Sequence, residues 1–149
     1  MTEWVFASSP ASKDAHRNLY HFSESSYIVT GKDLMESITG FERDFCRLHI
    51  ASPWINMVML AIGKAKPLKG DILLLLRRAG ITAEELAPFR EAEPDDIFPW
   101  LFYGRRFDVL RRICQAAKAN AEKSLKDKDA RVHCHLVVED TTEIIASSL

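Results

Sequence analysis

Long apolar runs are missing from this chain of 149 residues. Nothing in it approaches the roughly 18 consecutive apolar residues that a membrane-crossing helix needs. The opening Met1-Thr2-Glu3-Trp4 has no basic region followed by an apolar one, so no secretory leader is expected. Cysteine is scarce: Cys46, Cys114 and Cys134 are odd in number, far apart and set among apolar neighbours, with no Cys-x-x-Cys pair. That pattern excludes a disulfide framework and a thiolate metal knuckle, and fits reduced core thiols of a cytoplasmic protein. Glycine and proline number six each, too few for a low-complexity chain, and no internal repeat is present. Charge of one sign is lacking too. A net charge of −1 and a hydrophobic content of 47% describe a globular protein rather than a disordered one.

A chain of this length can bury on the order of 68–70% of its unfolded surface, enough for one core without staples. One domain over residues 1–149 is therefore expected. Its first 30 residues read as a variable segment, turn-rich from Ala7 to Ser12, with a short strand at Tyr27-Ile28-Val29-Thr30 before Gly31. His16 and His21 fall in this segment and are expected on the surface. From Asp33 to Cys46, apolar residues at Leu34, Ile38, Phe41 and Phe45 have helical spacing. Leu48 to Ile55 reads as a buried strand ended by Pro53, with His49 buried and hydrogen-bonded. A helix is expected over Met57 to Lys64, a turn over Pro67 to Gly70, and a strand over the apolar run Asp71 to Arg77. Residues 83–104 read as an excursion between sheet elements. The fold class that follows is α/β, a mixed β-sheet flanked by helices.

Charge divides the middle of the chain. Between Ala83 and Ile97 six carboxylates face a single base, Arg90, whereas between Gly104 and Arg131 nine basic residues face four acidic ones. The basic part contains an amphipathic helix with Phe107, Leu110, Ile113, Cys114 and Ala117 on its inner face. Arg105, Arg106, Arg111 and Arg112 are the candidate nucleic-acid contacts, because paired guanidiniums suit phosphate geometry. The aromatic cluster Phe98 to Tyr103 lies between the two charge blocks, as core or as a base-stacking platform.

The most specific pattern is Arg131-Val132-His133-Cys134-His135-Leu136-Val137-Val138-Glu139-Asp140, followed seven residues later by Ser147-Ser148. On an extended strand alternate residues share a face, so His133, His135 and Val137 point one way and Cys134, Leu136 and Val138 the other. Two histidines so placed, with Asp140 or Glu143 nearby, are also plausible ligands for a first-row metal. The spacing resembles the signature of the phospholipase D superfamily. His133 stands at the histidine position, His135 at the lysine position, Asp140 at the aspartate position and Ser147-Ser148 at the small Gly-Ser turn. The order helix, strand ending in Ser52-Pro53-Trp54-Ile55, helix, then apolar strand resembles the opening of one half of such a protein. Together the two pieces span about two-thirds of the chain.

The resemblance implies a phosphodiesterase, nuclease-type, working through a phosphohistidine intermediate and needing no metal or other cofactor. His133 would be the nucleophile or acid, His135 the phosphate partner, Asp140 an orienting carboxylate, and Ser147 and Ser148 small residues against the phosphate. In place of lysine, His135 could act only when protonated, which would confine activity to mildly acidic pH. One motif per chain implies a homodimer with His133 of both subunits in one cleft, acting on a phosphodiester such as DNA or RNA. Two alternatives remain open from the residues: a non-catalytic module that binds nucleic acid or protein through the basic helix, and a metal-dependent hydrolase built on His133 and His135.

Overall fold

The computed structural model describes residues 3–31, 33–41, 43, 45–125 and 129–149. Residues 42 and 44 of the expected helical run, and Lys126 and Lys128 of the basic block, lie outside these. Among the described residues five strands form one sheet: β1 (Glu3–Ala7), β2 (Tyr27–Val29), β3 (Arg47–Ser52), β4 (Arg131–Val138) and β5 (Glu143–Ser147). Their spatial order is β2-β1-β3-β4-β5. The first four are parallel, and β5 returns antiparallel on β4 with an irregularity at Leu136/Val137. The fold is thus α/β with a mixed sheet, as the pattern of elements implied.

Among the described residues seven α-helices connect or flank the strands: α1 (Pro10–Tyr20), α2 (Leu34–Thr39), α3 (Trp54–Ile62), α4 (Lys69–Arg78), α5 (Ala83–Leu86), α6 (Pro94–Tyr103) and α7 (Phe107–Ser124). The two faces of the sheet are covered unequally. Leu48, Ile50, Val132, Cys134 and Leu136 pack with α3 and α7 into the main core, which takes in Met57, Leu76, Leu101, Leu110 and Ile113. The opposite face is covered by α1, where Ala15 meets Ala51 and Val137 in a small second cluster. Strand alternation therefore acts as read: Cys134 and Leu136 face one way, His133 and His135 the other. Cys114 and Cys134 are buried free thiols, and burial pushes Cys114 up to about 12 and Cys134 well above the ordinary thiol value.

Three expectations are corrected. The run Asp71 to Arg77 is not a strand but most of α4. Its apolar content is leucine, a good helix former, rather than β-branched residues. Ile72, Leu75, Leu76 and Ala79 recur at helical spacing on the buried side, while Leu74 is exposed. Asp71 accepts the Leu68 backbone N–H at 2.9 Å and so caps the first turn. Second, the segment from Ala7 to Ser12 is ordered by a cap: the Ser9 side chain accepts from Ser12 N, Pro10 takes the first helical position, and α1 follows. Residues 3–29 thereby supply β1, β2 and a whole face of the fold. Third, the helix expected from Asp33 to Cys46 stops at Thr39, and Gly40 caps it. Residues 83–104, which lie in chain order between β3 and β4, are largely helical and pack on the core, since Ile97 and Leu101 are buried and Trp54 Nε1 donates to Pro94 O at 2.8 Å. Among the described residues no helix is long and apolar enough to cross a membrane.

Candidate functional site

Parallel register between β1, β3 and β4 sets residues of the α1 side in rows. Glu3, Arg47 and Arg131 form the first, Val5, His49 and His133 the second, Ala7, Ala51 and His135 the third. Helix α1 closes over the third row and part of the second. The expectation that His16 lies on the surface is therefore wrong: it is fully buried, held by α1 against the sheet, whereas His21 just beyond the helix is exposed.

Under α1 the histidines form a connected cluster. His16 Nδ1 lies 2.8 Å from the Tyr27 hydroxyl, and His16 Nε2 lies 3.2 Å from His49 Nδ1. The same His49 Nδ1 is 2.9 Å from His135 Nε2, and His135 Nδ1 is 2.8 Å from Ser147 Oγ. The His49 and His135 rings stack at 5.2 Å, and Tyr20 and Phe22 wall the cluster. His49 was thus correctly expected to be buried and hydrogen-bonded. Burial lowers His16 to about 4. Burial and then the neighbouring imidazoles His16 and His133 lower His49 to about 3. His135 falls to about 2 through burial and then His49 and His16. None of the three is cationic at neutral or mildly acidic pH. His135 therefore does not stand in for a lysine charge, and the mildly acidic activity window loses its basis.

His133 lies outside the lid. It is half-buried, its Nδ1 is buried without a hydrogen-bond partner, and its pKa is lowered by burial first and then by the charges of Lys118 and Arg47. Arg47 and Arg131, one row away on the same face, are exposed. Sequence reasoning missed both arginines, because they are 84 positions apart and only the parallel register of β3 and β4 makes them neighbours.

The other expected site residues are dispersed. Asp140 lies in the β4–β5 turn, at least roughly 16 Å along the strand from His133, so it does not orient that imidazole. Ser147 is engaged by His135. Ser148 closes the hairpin, its Oγ accepting from Cys134 N and its N–H donating to Cys134 O, each at 2.9 Å. The four arginines at the start of α7 lie across the sheet from the histidines. Arg106 pairs with Glu85 and Asp108, Arg112 donates to Ala79 O at 3.0 Å, and Arg105 and Arg111 are exposed. Arg112 thereby holds the end of α4, where Gly80 at φ +106 leaves space that a Cβ would take from the guanidinium. In the aromatic cluster, Trp100 packs on Phe89 and Phe98 on Trp54, and only Tyr103 is largely exposed.

Open parallel sheets commonly bind ligands beyond their carboxyl strand ends. Here that end holds a cavity of about 300 Å³ rimmed by Asp95, Glu139 and Asp140 beside Trp54 and Phe98. Glu139 also accepts from Ser9 at the start of α1, so the chain's own carboxylate occupies the helix N-terminus. This end of the sheet is rimmed by carboxylates, whereas at the opposite end Arg47 and Arg131 lie one row from His133, with Glu3 paired to Arg47. Comparison of the chain with protein-family models, curated proteins and solved structures finds no match.

Proposed function

We propose that this chain engages phosphodiesters as a phospholipase D-like half, with His133 meeting phosphorus and Arg47 and Arg131 supplying the charge that His135 cannot. The observation that carries the reading is the shared face and register of these three residues. Neighbouring strands lie about 4.8 Å apart, and His133 stands about 7 Å along β4 from Arg131, so one phosphodiester spans the group. Guanidiniums stay charged at any working pH and bind phosphate oxygens in pairs. The Arg47–Glu3 pair at 2.9 Å is exposed, worth no more than about 1 kcal/mol, and yields to a better anion. With Nδ1 buried, Nε2 is the nitrogen of His133 that can approach phosphorus. A hairpin carrying His133, Asp140 and Ser147-Ser148 at the family's spacing supports the resemblance, although the strand expected at residues 71–77 is helix α4.

Binding is then a property of one chain and cleavage a property of two. The phosphohistidine route needs an imidazole to attack and a second to protonate the leaving oxygen, and the second would be His133 of another copy. The test is fluorescence anisotropy of a labelled single-stranded oligonucleotide across a salt series, beside cleavage of a chromogenic phosphodiester in EDTA. Arg47→Ala/Arg131→Ala should weaken binding at least tenfold and reduce the log–log salt slope by about 1.4, two phosphate contacts at about 0.7 each. Arg105→Ala/Arg111→Ala should leave binding unchanged. His133→Ala should retain binding and abolish any EDTA-resistant cleavage. Wild-type binding by the Arg47/Arg131 variant, or cleavage that depends on a metal, overturns the proposal.

A further inference from the structure

We infer that His16, His49 and His135 form a binding site for one first-row transition-metal ion of the zinc class, ligated through His16 Nε2, His49 Nδ1 and His135 Nε2. These residues come from α1, β3 and β4, and the ion would tie the single covering helix to the two central strands. The inference is independent of the phosphodiester reading, and it uses neither Asp140 nor Glu143.

The first argument is metric. The three ligand atoms all lie within 4.8 Å of one another, with adjacent separations of 3.2 Å and 2.9 Å. A tetrahedral ion bonded to imidazole nitrogens at 2.0–2.1 Å requires donors about 3.3–3.4 Å apart. The two adjacent separations open by a few tenths of an ångström, and the third, between His16 Nε2 and His135 Nε2 and no more than 4.8 Å, closes toward the same value to complete a coordination face.

The second argument is a hydrogen-bond count. A neutral imidazole nitrogen carries either one N–H or one lone pair. His49 Nδ1 faces both His16 Nε2 and His135 Nε2, so it can complete a bond with one of them and leaves the other facing it unmatched. A cation at the centre accepts all three lone pairs at once. The outer nitrogens of two ligands already have the partners such sites use: the Tyr27 hydroxyl at His16 Nδ1 and the Ser147 hydroxyl at His135 Nδ1. With the N–H on each Nδ1, the hydroxyls accept from it and both Nε2 lone pairs turn inward, the tautomers a metal requires. The outer Nε2 of His49 is buried without a partner, so the Tyr27 and Ser147 contacts are the ones that orient the site.

An all-imidazole set selects zinc, copper, nickel or iron over magnesium and calcium. Among the described residues no carboxylate or thiolate joins the group, and Cys134 faces the other side of the sheet. Three protein ligands leave the fourth position of a tetrahedral ion for a water molecule, and the rings of Tyr20 and Phe22 pack against the cluster.

The test uses full-length protein stripped with a chelator and titrated with Zn²⁺ alone by calorimetry, with the Co²⁺ absorption spectrum as a readout of coordination geometry. One ion per chain, a tetrahedral Co²⁺ spectrum and a raised thermal midpoint are expected. His49→Gln should weaken binding at least about a hundredfold, and Tyr27→Phe, which keeps the ring and its packing, by about tenfold. His21→Ala and His133→Ala should bind as the wild type does. No binding by the wild type overturns the inference. So does binding that survives His49→Gln in a variant with the wild-type circular dichroism spectrum. If His49→Gln does not fold, unchanged affinity in Tyr27→Phe or an octahedral Co²⁺ spectrum is decisive against it.

Discussion

Replacing His135 by lysine, the residue at that position in the phospholipase D pattern, will destabilise the protein by about 3–5 kcal/mol and will not create activity. His135 is fully buried under α1, both its ring nitrogens have partners, and its ring stacks on His49. A lysine there would strand an ammonium among imidazoles and aromatic rings, without a carboxylate to pair with. Breaking a fully buried polar network by introducing an unpaired charge costs several kcal/mol, and the amine would give up its proton before it could act as a cation. Ser147 would lose its partner as well. Urea unfolding of the wild type and of His135→Lys checks the cost, and chromogenic phosphodiester cleavage checks the activity. Equal stability with a gain in cleavage would mean that position 135 opens to solvent, contrary to the geometry.

Acid should unfold the metal-free protein well above the pH at which ordinary carboxylates titrate. Burial lowers His16, His49 and His135 to about 4, 3 and 2 in the folded chain, against about 6.5 for a free imidazole. Below pH 6.5 the unfolded chain takes up protons that the folded chain refuses. The unfolded state then binds more protons, and stability falls as pH falls. The contribution is fully present above about pH 7 and is lost progressively toward pH 4, where His16 begins to titrate in place. One group costs about 1.4 kcal/mol per pH unit in that window, so the three together remove on the order of 4 kcal/mol at pH 5.5. That is a large part of the 5–15 kcal/mol typical of a domain. The urea midpoint measured from pH 8 to pH 5 in EDTA should drop steeply, and His16→Gln should flatten the slope by about one proton. A midpoint that stays level between pH 7 and pH 5 contradicts the buried, neutral cluster.

Local periodicity carried much of the fold. The alternation of His133, Cys134, His135 and Leu136 identified the faces of β4, and the apolar stripe of α7 was visible at helical spacing from Leu110 to Ala117, although Phe107, read as part of it, is 42% exposed. Where local pattern was ambiguous, tertiary context decided. Asp71 to Arg77 is apolar enough for a buried strand, yet leucine content and the Asp71 cap make it helical. For the site, sequence spacing identified which histidines share a strand face but not what covers them. His16 looked like a surface residue, because nothing near Ser12 or Arg17 marks the inner side of so polar a helix as α1. Arg47 and Arg131 carry no local signal, while Arg105, Arg106, Arg111 and Arg112 carry a conspicuous one and diverge once the helix is wound. Two of those four are committed to Glu85, Asp108 and the carbonyl of Ala79.

The central claim is that a phosphodiester is met where Arg47, Arg131 and His133 share an exposed end of the sheet face. Chemical-shift mapping with a short single-stranded oligonucleotide, read on backbone amides and on the histidine ring protons, tests it most directly. The account predicts that perturbations centre on Arg47, Arg131 and His133, and that the rings of His16, His49 and His135 stay still. Perturbations centred on Arg105 to Arg112, or at the Glu139–Asp140 end of the sheet, would contradict it.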